Sequence, residues 1–171
     1  GLSGAASFTD VPGDDNAAPD ITSVAVVASS ASSVTLKVVA ANYPALEQGT
    51  WFNLYFDTDA SPATGILGAE RLVRYVQDVG HVTQLFSAAG LQWVTQAPAG
   101  IVSTYDAGEL TLTIPRRALG GADPLGVHVI SGRRQPMGAA VFISSDFAPN
   151  QGCCINWAGT ATPSSVDPTS D

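Results

Sequence analysis

Short runs in which apolar and polar residues alternate are the main pattern of this chain. A period of two is typical of β-strands that bury one face. About ten such runs recur at spacings of roughly eight to twelve residues, with turn-forming residues between them, and this predicts an antiparallel two-sheet β-sandwich. The predicted strands cover residues 21–27, 34–39, 51–57, 71–76, 81–86, 91–94, 101–105, 109–114, 127–130 and 140–143.

Helical signals are confined to one place. The segment from Pro115 to Gly120 has proline at its start and glycine at its stop, so it predicts a single short helical turn. The sequence contains no long amphipathic pattern and no strand–helix–strand alternation. It also lacks an apolar run of the about 18 residues that a membrane helix needs. We therefore expect an all-β fold with at most one helical turn and no membrane span.

The two ends of the chain lack the strand pattern. Residues 1–19 are rich in Gly, Asp, Ala and Pro and predict an irregular lead-in, whereas residues 160–171 have the Ser/Thr/Pro composition of a linker-like tail. One sandwich domain over residues 20–159 is therefore expected. Because the chain begins with Gly1 and not with Met, we also expect a processed N-terminus whose leader has been removed.

The charge balance narrows the choice of partners. The 171 residues carry seven Lys and Arg against fifteen Asp and Glu, a net charge of −8, and only 13% of them are charged. Nucleic acids and anionic membrane surfaces bind clustered positive charge, so neither is an expected partner. Lysine occurs once, at Lys37, whereas Ser, Thr, Ala and Gly are abundant. This composition favours a secreted or cell-surface protein.

An acidic loop follows the predicted strand 51–57. Asp57, Asp59 and Ser61 place oxygen side chains at alternate positions, and Pro62 and Gly65 close the loop. Calcium takes six to eight oxygen ligands at about 2.3–2.6 Å, and a tight acidic turn offers several from one segment. The alternative is an Asx-turn, in which the aspartates bond backbone amides without a metal. Local spacing leaves both interpretations open.

Motifs for catalysis are missing from the sequence. It has no nucleophile elbow, no zinc-protease helix motif, no phosphate-binding glycine loop and no Cys-x-x-Cys pair. The two histidines, His81 and His128, fall in strand-like runs, where a structural role is more common than a catalytic one. The sequence therefore predicts a protein that is not an enzyme.

Aromatic side chains are the candidates for ligand contact. Carbohydrate binding uses aromatic rings that stack on sugar faces, and Trp51, Trp93 and Trp157 could provide them. Core packing is the commoner role for each. Trp157 is the best candidate for exposure because it precedes the C-terminal tail, and Trp51 is the second ligand-binding candidate.

Two adjacent cysteines, Cys153 and Cys154, are the only ones in the chain. Neighbouring Cα atoms are 3.8 Å apart across a trans peptide, below the usual disulfide window of about 4.4–6.8 Å. The pair could form a strained vicinal disulfide, bond to another subunit, or remain as free thiols. An oxidising compartment favours the first two.

The order of several motifs resembles a group of bacterial extracellular sandwich domains related to the DOMON superfamily and to family-nine carbohydrate-binding modules. The motifs are residues 20–24, 56–65, 68–70, 90–93, 103–105, 108–120 and 146–152, so the resemblance spans roughly residues 14–157. It implies a jelly-roll-like sandwich that is secreted or surface-attached and often carries a structural calcium.

Carried over by position, the resemblance implies that Asp57, Asp59 and Glu70 are the calcium candidates. Asp20 and Asp146 also fall at acidic positions of the pattern. Some DOMON relatives bind haem through a Met and a His, and here only Met137 with His81 or His128 could serve.

Three functions are therefore under test. The first is a non-catalytic, calcium-stabilised binding module for glycans or another surface protein. The second is a self-assembling structural subunit of a surface layer or filament. A haem-binding electron-transfer domain is the third and weakest.

Overall fold

Two antiparallel β-sheets form the protein in a computed structural model. The structure describes residues 7–10, 12–13, 17–77, 81–97, 100–121, 126–137, 140–148 and 155–156. Within them the one helical element is a 3₁₀ turn, Arg116–Leu119, which ends at Gly120 in the left-handed conformation. The described residues include no helix with the length and apolar character that a membrane crossing requires. The predicted β-sandwich and its single helical turn are confirmed.

The described strands are numbered in chain order. Their bounds are β1 Ser7–Thr9, β2 Ser23–Ser29, β3 Ser33–Val39, β4 Thr50–Asp57, β5 Arg71–Gln77, β6 His81–Ala89, β7 Gln92–Gln96, β8 Val102–Asp106, β9 Glu109–Pro115, β10 Gly126–Met137, β11 Ala140–Ala148 and β12 Ile155–Asn156. The smaller sheet has the order β1-β2-β3-β9-β8. The larger has the order β11-β10-β4-β5-β6-β7, and β12 also pairs with β10.

Alternate residues of the central strands fill the space between the sheets. Phe52, Leu54 and Phe56 of β4 are fully buried, and the neighbouring strands contribute valine, leucine and isoleucine in the same rhythm. Each such side chain stabilises the fold by about 1.5–3 kcal/mol relative to exposure. The other residues of β4 point to the outer face of the larger sheet. Strand β4 lies between β10 and β5, so its two ends mark the two ends of the sandwich.

Part of the predicted lead-in belongs to the sandwich. Ser7–Thr9 form β1 against β2, where the sequence predicted irregular structure over residues 1–19. Three carbonyls that follow in the chain accept hydrogen bonds from sandwich side chains: Ala17 O from Tyr43 Oη at 2.7 Å, Ala18 O from Asn42 Nδ2 at 3.0 Å, and Pro19 O from Ser131 Oγ. These side chains hold the lead-in by its backbone carbonyls. The lead-in therefore needs no alternation of apolar residues, and its sequence shows no strand pattern.

Strand β10 is much longer than the predicted strand 127–130. It continues to Met137 through Pro136, which pairs with Val141 of β11. The pairing of β10 with β4 ends at Arg133, so β11 is the one neighbouring strand of Pro136 among the described residues. A proline is tolerated there because no second ladder needs its missing N–H.

A polar network occupies the sandwich end at which β4 begins. Arg133 forms a salt bridge with Glu47, and its Nη1 donates to Tyr43 Oη at 3.2 Å. The Tyr105 hydroxyl donates to the Tyr43 carbonyl at 2.6 Å. The charged and phenolic groups at this end of the sandwich are thus bonded to one another or to the nearby backbone.

Candidate metal centre

The acidic loop begins where β4 ends, and its first turn is built by its own aspartates. Asp57 Oδ1 accepts hydrogen bonds from the amides of Asp59 at 3.1 Å and Ala60 at 2.7 Å. Asp59 Oδ1 accepts one from the Ser61 amide at 2.9 Å. These are Asx-turns, so the non-metal alternative correctly describes the backbone of the loop.

A tight hairpin then returns the chain to the sheet. Ile66 and Ala69 exchange two backbone hydrogen bonds, of 2.9 and 3.1 Å, across a two-residue turn. Both turn residues have positive φ, 56° at Leu67 and 77° at Gly68, which matches the type I′ turn favoured by tight hairpins. The turn places Glu70 immediately before β5.

Gly65 allows the hairpin to pack against the loop. A Cβ at this position would lie 2.0 Å from the Ala69 carbonyl oxygen and 2.8 Å from Glu70 Oε1, and the residue has a φ of +62°. No side chain fits such an approach. The glycine therefore lets Glu70 approach the aspartates.

Three carboxylates converge as a result. One oxygen each of Asp57, Asp59 and Glu70 lies within 4.8 Å of the others. Two oxygens bound to one calcium ion at about 2.3–2.6 Å can be up to about 5 Å apart, so the spacing fits a shared cation. Glu70 is held in place by Thr58, whose amide and hydroxyl donate to Oε2 at 2.8 and 3.1 Å.

The Thr64 hydroxyl lies among more acceptors than it can serve. Its Oγ1 is 2.9 Å from both carboxylate oxygens of Asp59, 2.9 Å from Glu70 Oε1 and 3.0 Å from the Ser61 carbonyl oxygen. A hydroxyl has one proton to donate, so the other oxygens face it without a proton between them. This crowding of oxygens is what a cation would relieve.

The three carboxylates have no cationic partner in the described chain: the nearest arginine in sequence, Arg71, donates Nη1 to the backbone carbonyl oxygen of Glu70 at 3.1 Å. In the part of the chain that the structure describes, no lysine or arginine forms a salt bridge with Asp57, Asp59 or Glu70. Carboxylate, hydroxyl and carbonyl oxygens suit Ca²⁺, Mg²⁺ and Mn²⁺ alike. The donors therefore fit a hard divalent cation without selecting calcium among them. Ser61 would contribute its carbonyl oxygen, since that is the oxygen facing Thr64.

Two further metal candidates lie elsewhere. Asp20 is buried, where its Oδ2 accepts from the Gly13 amide at 2.7 Å, and it is not a member of the carboxylate group. Asp146 pairs with Ser131, which pairs in turn with Phe52 of β4. That level is five residues from Asp57, about 17 Å along the strand. The backbone therefore places Asp146 within β11 and away from the group.

Of the two tryptophans favoured for ligand binding, Trp51 and Trp157, the structure describes Trp51. The Trp51 ring lies flat on the neighbouring strand, because a Cβ on Gly132 would be 2.1 Å from its Cζ2. Trp51 thus packs across the outer face of the larger sheet. Trp157 and the pair Cys153 and Cys154 lie outside the described residues.

A second aromatic group on the same outer face was missed from the sequence. The rings of Tyr55 and Trp93 are 5.8 Å apart although three strand spacings, about 14 Å, separate β4 from β7. The rings therefore lean towards each other across β5 and β6. Leu72, on the same face between them, is only 1% exposed. Period-two patterns assign each residue to a face, but they do not reveal which strands become neighbours.

Polar side chains border this aromatic group. Arg74 Nε donates to Asn53 Oδ1 at 2.8 Å, and the Arg74 guanidinium lies 5.4 Å from the centre of the Phe86 ring. Asn53 Nδ2 donates to Tyr55 Oη at 3.2 Å. Burial raises the pKa of Tyr55, while the Asn53 hydrogen bond and the Arg74 charge act in the opposite direction. The outer face thus combines ring surface with fixed hydrogen-bonding groups.

His128 contacts the Tyr55 ring edge-on, at 6.1 Å between ring centres. Burial lowers its pKa from 6.5 to about 4, because desolvation disfavours the charged imidazolium. The histidine is therefore neutral at pH 7.

The strand register separates the haem-ligand candidates. Met137 and His128 are nine residues apart on β10, about 30 Å. His81 pairs with Gln77, which is level with Thr50 and Arg133, so it is about 14 Å across the sheet and about 13 Å along it from Met137. Neither pair of backbone positions suits two ligands of one iron atom.

Comparison with known proteins gave no match: no family model, no curated protein and no solved structure is significantly similar to this chain. The likeness to DOMON-like and family-nine domains therefore stays a prediction.

Proposed function

We propose that the protein is a non-catalytic binding module, secreted or displayed at the cell surface, whose sandwich is stabilised by calcium at Asp57, Asp59 and Glu70. The observation that carries the proposal is the convergence of three carboxylates within 4.8 Å without a described Lys or Arg partner. One divalent ion would remove their mutual repulsion. It would also link the end of β4 to the start of β5.

Calcium is proposed over magnesium for two reasons. The loop is exposed and uses oxygens of several kinds, which suits the flexible coordination of calcium better than the strict octahedron of magnesium. Calcium sites of extracellular modules are weak, with Kd values of about 10⁻⁴–10⁻³ M, and a half-exposed group fits that class. We propose a structural ion, because its ligands would join the loop at the end of β4 to Glu70 at the start of β5.

The ligand surface proposed is the outer face around Tyr55 and Trp93. The partly exposed rings of Tyr55 and Trp93 provide stacking surface, and the partly exposed Arg74 beside them provides hydrogen-bond donors, a combination that sugars need. This assigns glycan binding to Trp93, where the sequence favoured Trp51 and Trp157. A glycan array with the wild type and Trp93→Ala tests it: we expect bound glycans that the variant loses. If the wild type and Trp93→Ala bind equally, the outer face around Tyr55 and Trp93 is not the ligand surface.

Calcium titration of the EDTA-treated protein tests the metal. At 10–100 times Kd, binding stabilises the fold by about 1.4–2.7 kcal/mol. We therefore expect calcium to raise Tm by roughly 3–10 °C for a chain of this size, and magnesium to raise it less. Asp59→Asn should lose most of this shift, whereas Asp106→Asn, which removes an exposed carboxylate outside the group, should keep it. A Tm that is the same in EDTA and in calcium would leave the loop as a turn only.

A further inference from the structure

One stretch of the chain carries no charge. From Val79 to Tyr105 the sequence contains no Asp, Glu, Lys or Arg, although the chain has fifteen acidic and seven basic residues elsewhere. This stretch includes all of β7 and the part of β8 up to Tyr105, and these are the last strands of the larger and the smaller sheet; Asp106, the final residue of β8, is charged. The hydroxyls of Thr83 on β6 and Ser103 on β8 are 2.7 Å apart, so both sheets end on the same side.

Exposed apolar side chains concentrate there. Six large apolar residues are exposed in the described part of the chain, and four of them are on this side: Val82, Leu91, Val94 and Val102. Leu91, in the turn between β6 and β7, is 93% exposed. We name β7, β8 and the side chains of Val82 and Leu91 the β7/β8 flank.

The backbone of the flank is also open. Neither β7 nor β8 has a second neighbouring strand among the residues that the structure describes. Exposed strand edges usually carry lysine, proline, an inward charge or a bulge, because an unprotected edge pairs with other chains. Strand β7 consists of Gln92, Trp93, Val94, Thr95 and Gln96, and it carries none of these side chains.

We propose that the β7/β8 flank is a self-association surface, on which a second copy of this chain adds its own β7 in antiparallel register. A two-fold axis through Val94 pairs Gln92 with Gln96 of the second copy and Trp93 with Thr95. Identical strands satisfy such an isologous interface without any change in sequence. Main-chain hydrogen bonds supply the association, as in other cases of strand addition.

The charge distribution favours a second copy as the partner. Two molecules of net charge −8 repel one another, and they approach most easily along a strand such as β7, which carries no charge. A basic partner would find no acidic group on β7 to recognise. Salt screens the repulsion between two copies, so the dimer is expected to strengthen as ionic strength rises.

Sedimentation velocity tests the interface. Across about 10 μM to 1 mM, the range in which small interfaces associate, we expect the mass to shift from monomer to dimer, more completely at high salt. Val94→Lys should weaken the dimer by about tenfold or more because the ammonium would be buried at the axis. Val27→Lys is the matched control: Val27 is 46% exposed and Val94 44%, and Val27 lies in β2 away from the flank. It should leave the dimer unchanged.

Two double variants at Gln92 and Gln96 test the strand register independently of Val94→Lys. The double variant Gln92→Glu with Gln96→Glu sets like charges opposite each other and should dissociate the dimer at low salt. Gln92→Glu with Gln96→Lys sets opposite charges in the same places and should restore it. A monomer at all concentrations, equal effects of the two lysine variants, or two equally weak charge variants would each overturn the proposal.

Discussion

The carboxylates at the two ends of β4 differ in their partners. Where the strand begins, Glu47 forms a salt bridge with Arg133, and the guanidinium also contacts Tyr43. Where it ends, three carboxylates gather around Thr64 with no described arginine or lysine bound to them. One end thus has its own cation in the chain. The other would take its cation from solution, so only that end should sense the ionic composition of the medium.

Asp20 resembles Glu47 in that its carboxylate has a partner within the protein. It is a predicted metal ligand, yet its carboxylate accepts the Gly13 amide and its own amide donates to Asn42 Oδ1 at 2.9 Å. The protein itself provides these partners. An acidic position in the sequence therefore does not tell whether its partner is an amide, a guanidinium or an ion; the surrounding fold decides.

The largest expected effect comes from Gly65→Ala, which should disrupt the carboxylate group at the end of β4. In Gly65→Ala the new Cβ would meet the Ala69 carbonyl at 2.0 Å, so the hairpin must move and take Glu70 with it. We expect a loss of about 3 kcal/mol in the free energy of unfolding, measured in urea, together with the calcium response.

Gly90→Ala is the control for backbone strain alone. Gly90 has nearly the same φ, +61°, but a Cβ there has no atom within 4 Å. It should lose about 1 kcal/mol and keep the calcium response. Equal losses in the two variants would mean that the close approach at Gly65 does not hold the site together.

The two ends of β4 can be compared at acid pH only after the effect of His128 on the unfolding free energy has been removed. Its pKa is about 4 in the folded protein and 6.5 as the ordinary value, so the unfolded chain takes up a proton first as pH falls. The stability it contributes is complete above pH 6.5 and falls between about pH 6.5 and 4, by up to about 3 kcal/mol. His128→Phe should therefore flatten the pH dependence of the unfolding free energy in this window. If both proteins follow parallel curves, the imidazole is not desolvated.

The smallest effect is expected at the end with its own cation. Tyr43→Phe removes the hydroxyl that donates to Ala17 O and accepts from Arg133, which should lower the unfolding free energy by about 1–2 kcal/mol. Calcium should stabilise this variant as much as it does the wild type. A changed calcium shift in Tyr43→Phe would show that the two ends are coupled through β4.

Local patterns predicted those parts of the molecule in which local chemistry decides. Alternation over β3, β4 and β9 predicted strands whose inward residues are the core. The acidic loop was predicted from its spacing, whereas Glu70 was a candidate only through the resemblance to DOMON-like domains. Asp57, Asp59 and Glu70 are close in sequence as well as in space.

The parts that the sequence did not predict depend on distant segments. Residues 17–19 are held by side chains from β10 and from the segment before β4. Strand β10 runs through Pro136 because β11 is its one described neighbour there. Tyr55 meets Trp93 only after β5 and β6 have been placed between their strands. Such contacts follow from the order of strands in a sheet, which no single segment contains.

The contact between Trp51 and Gly132 restricts how the chain can change during evolution. The indole occupies the space in which any side chain at position 132 would start, since a Cβ there would lie 2.1 Å from the ring. In a homologous chain, a larger residue at 132 should therefore be accompanied by a smaller one at 51. An alignment of such chains should show the two positions covarying, although eighty residues of sequence separate them.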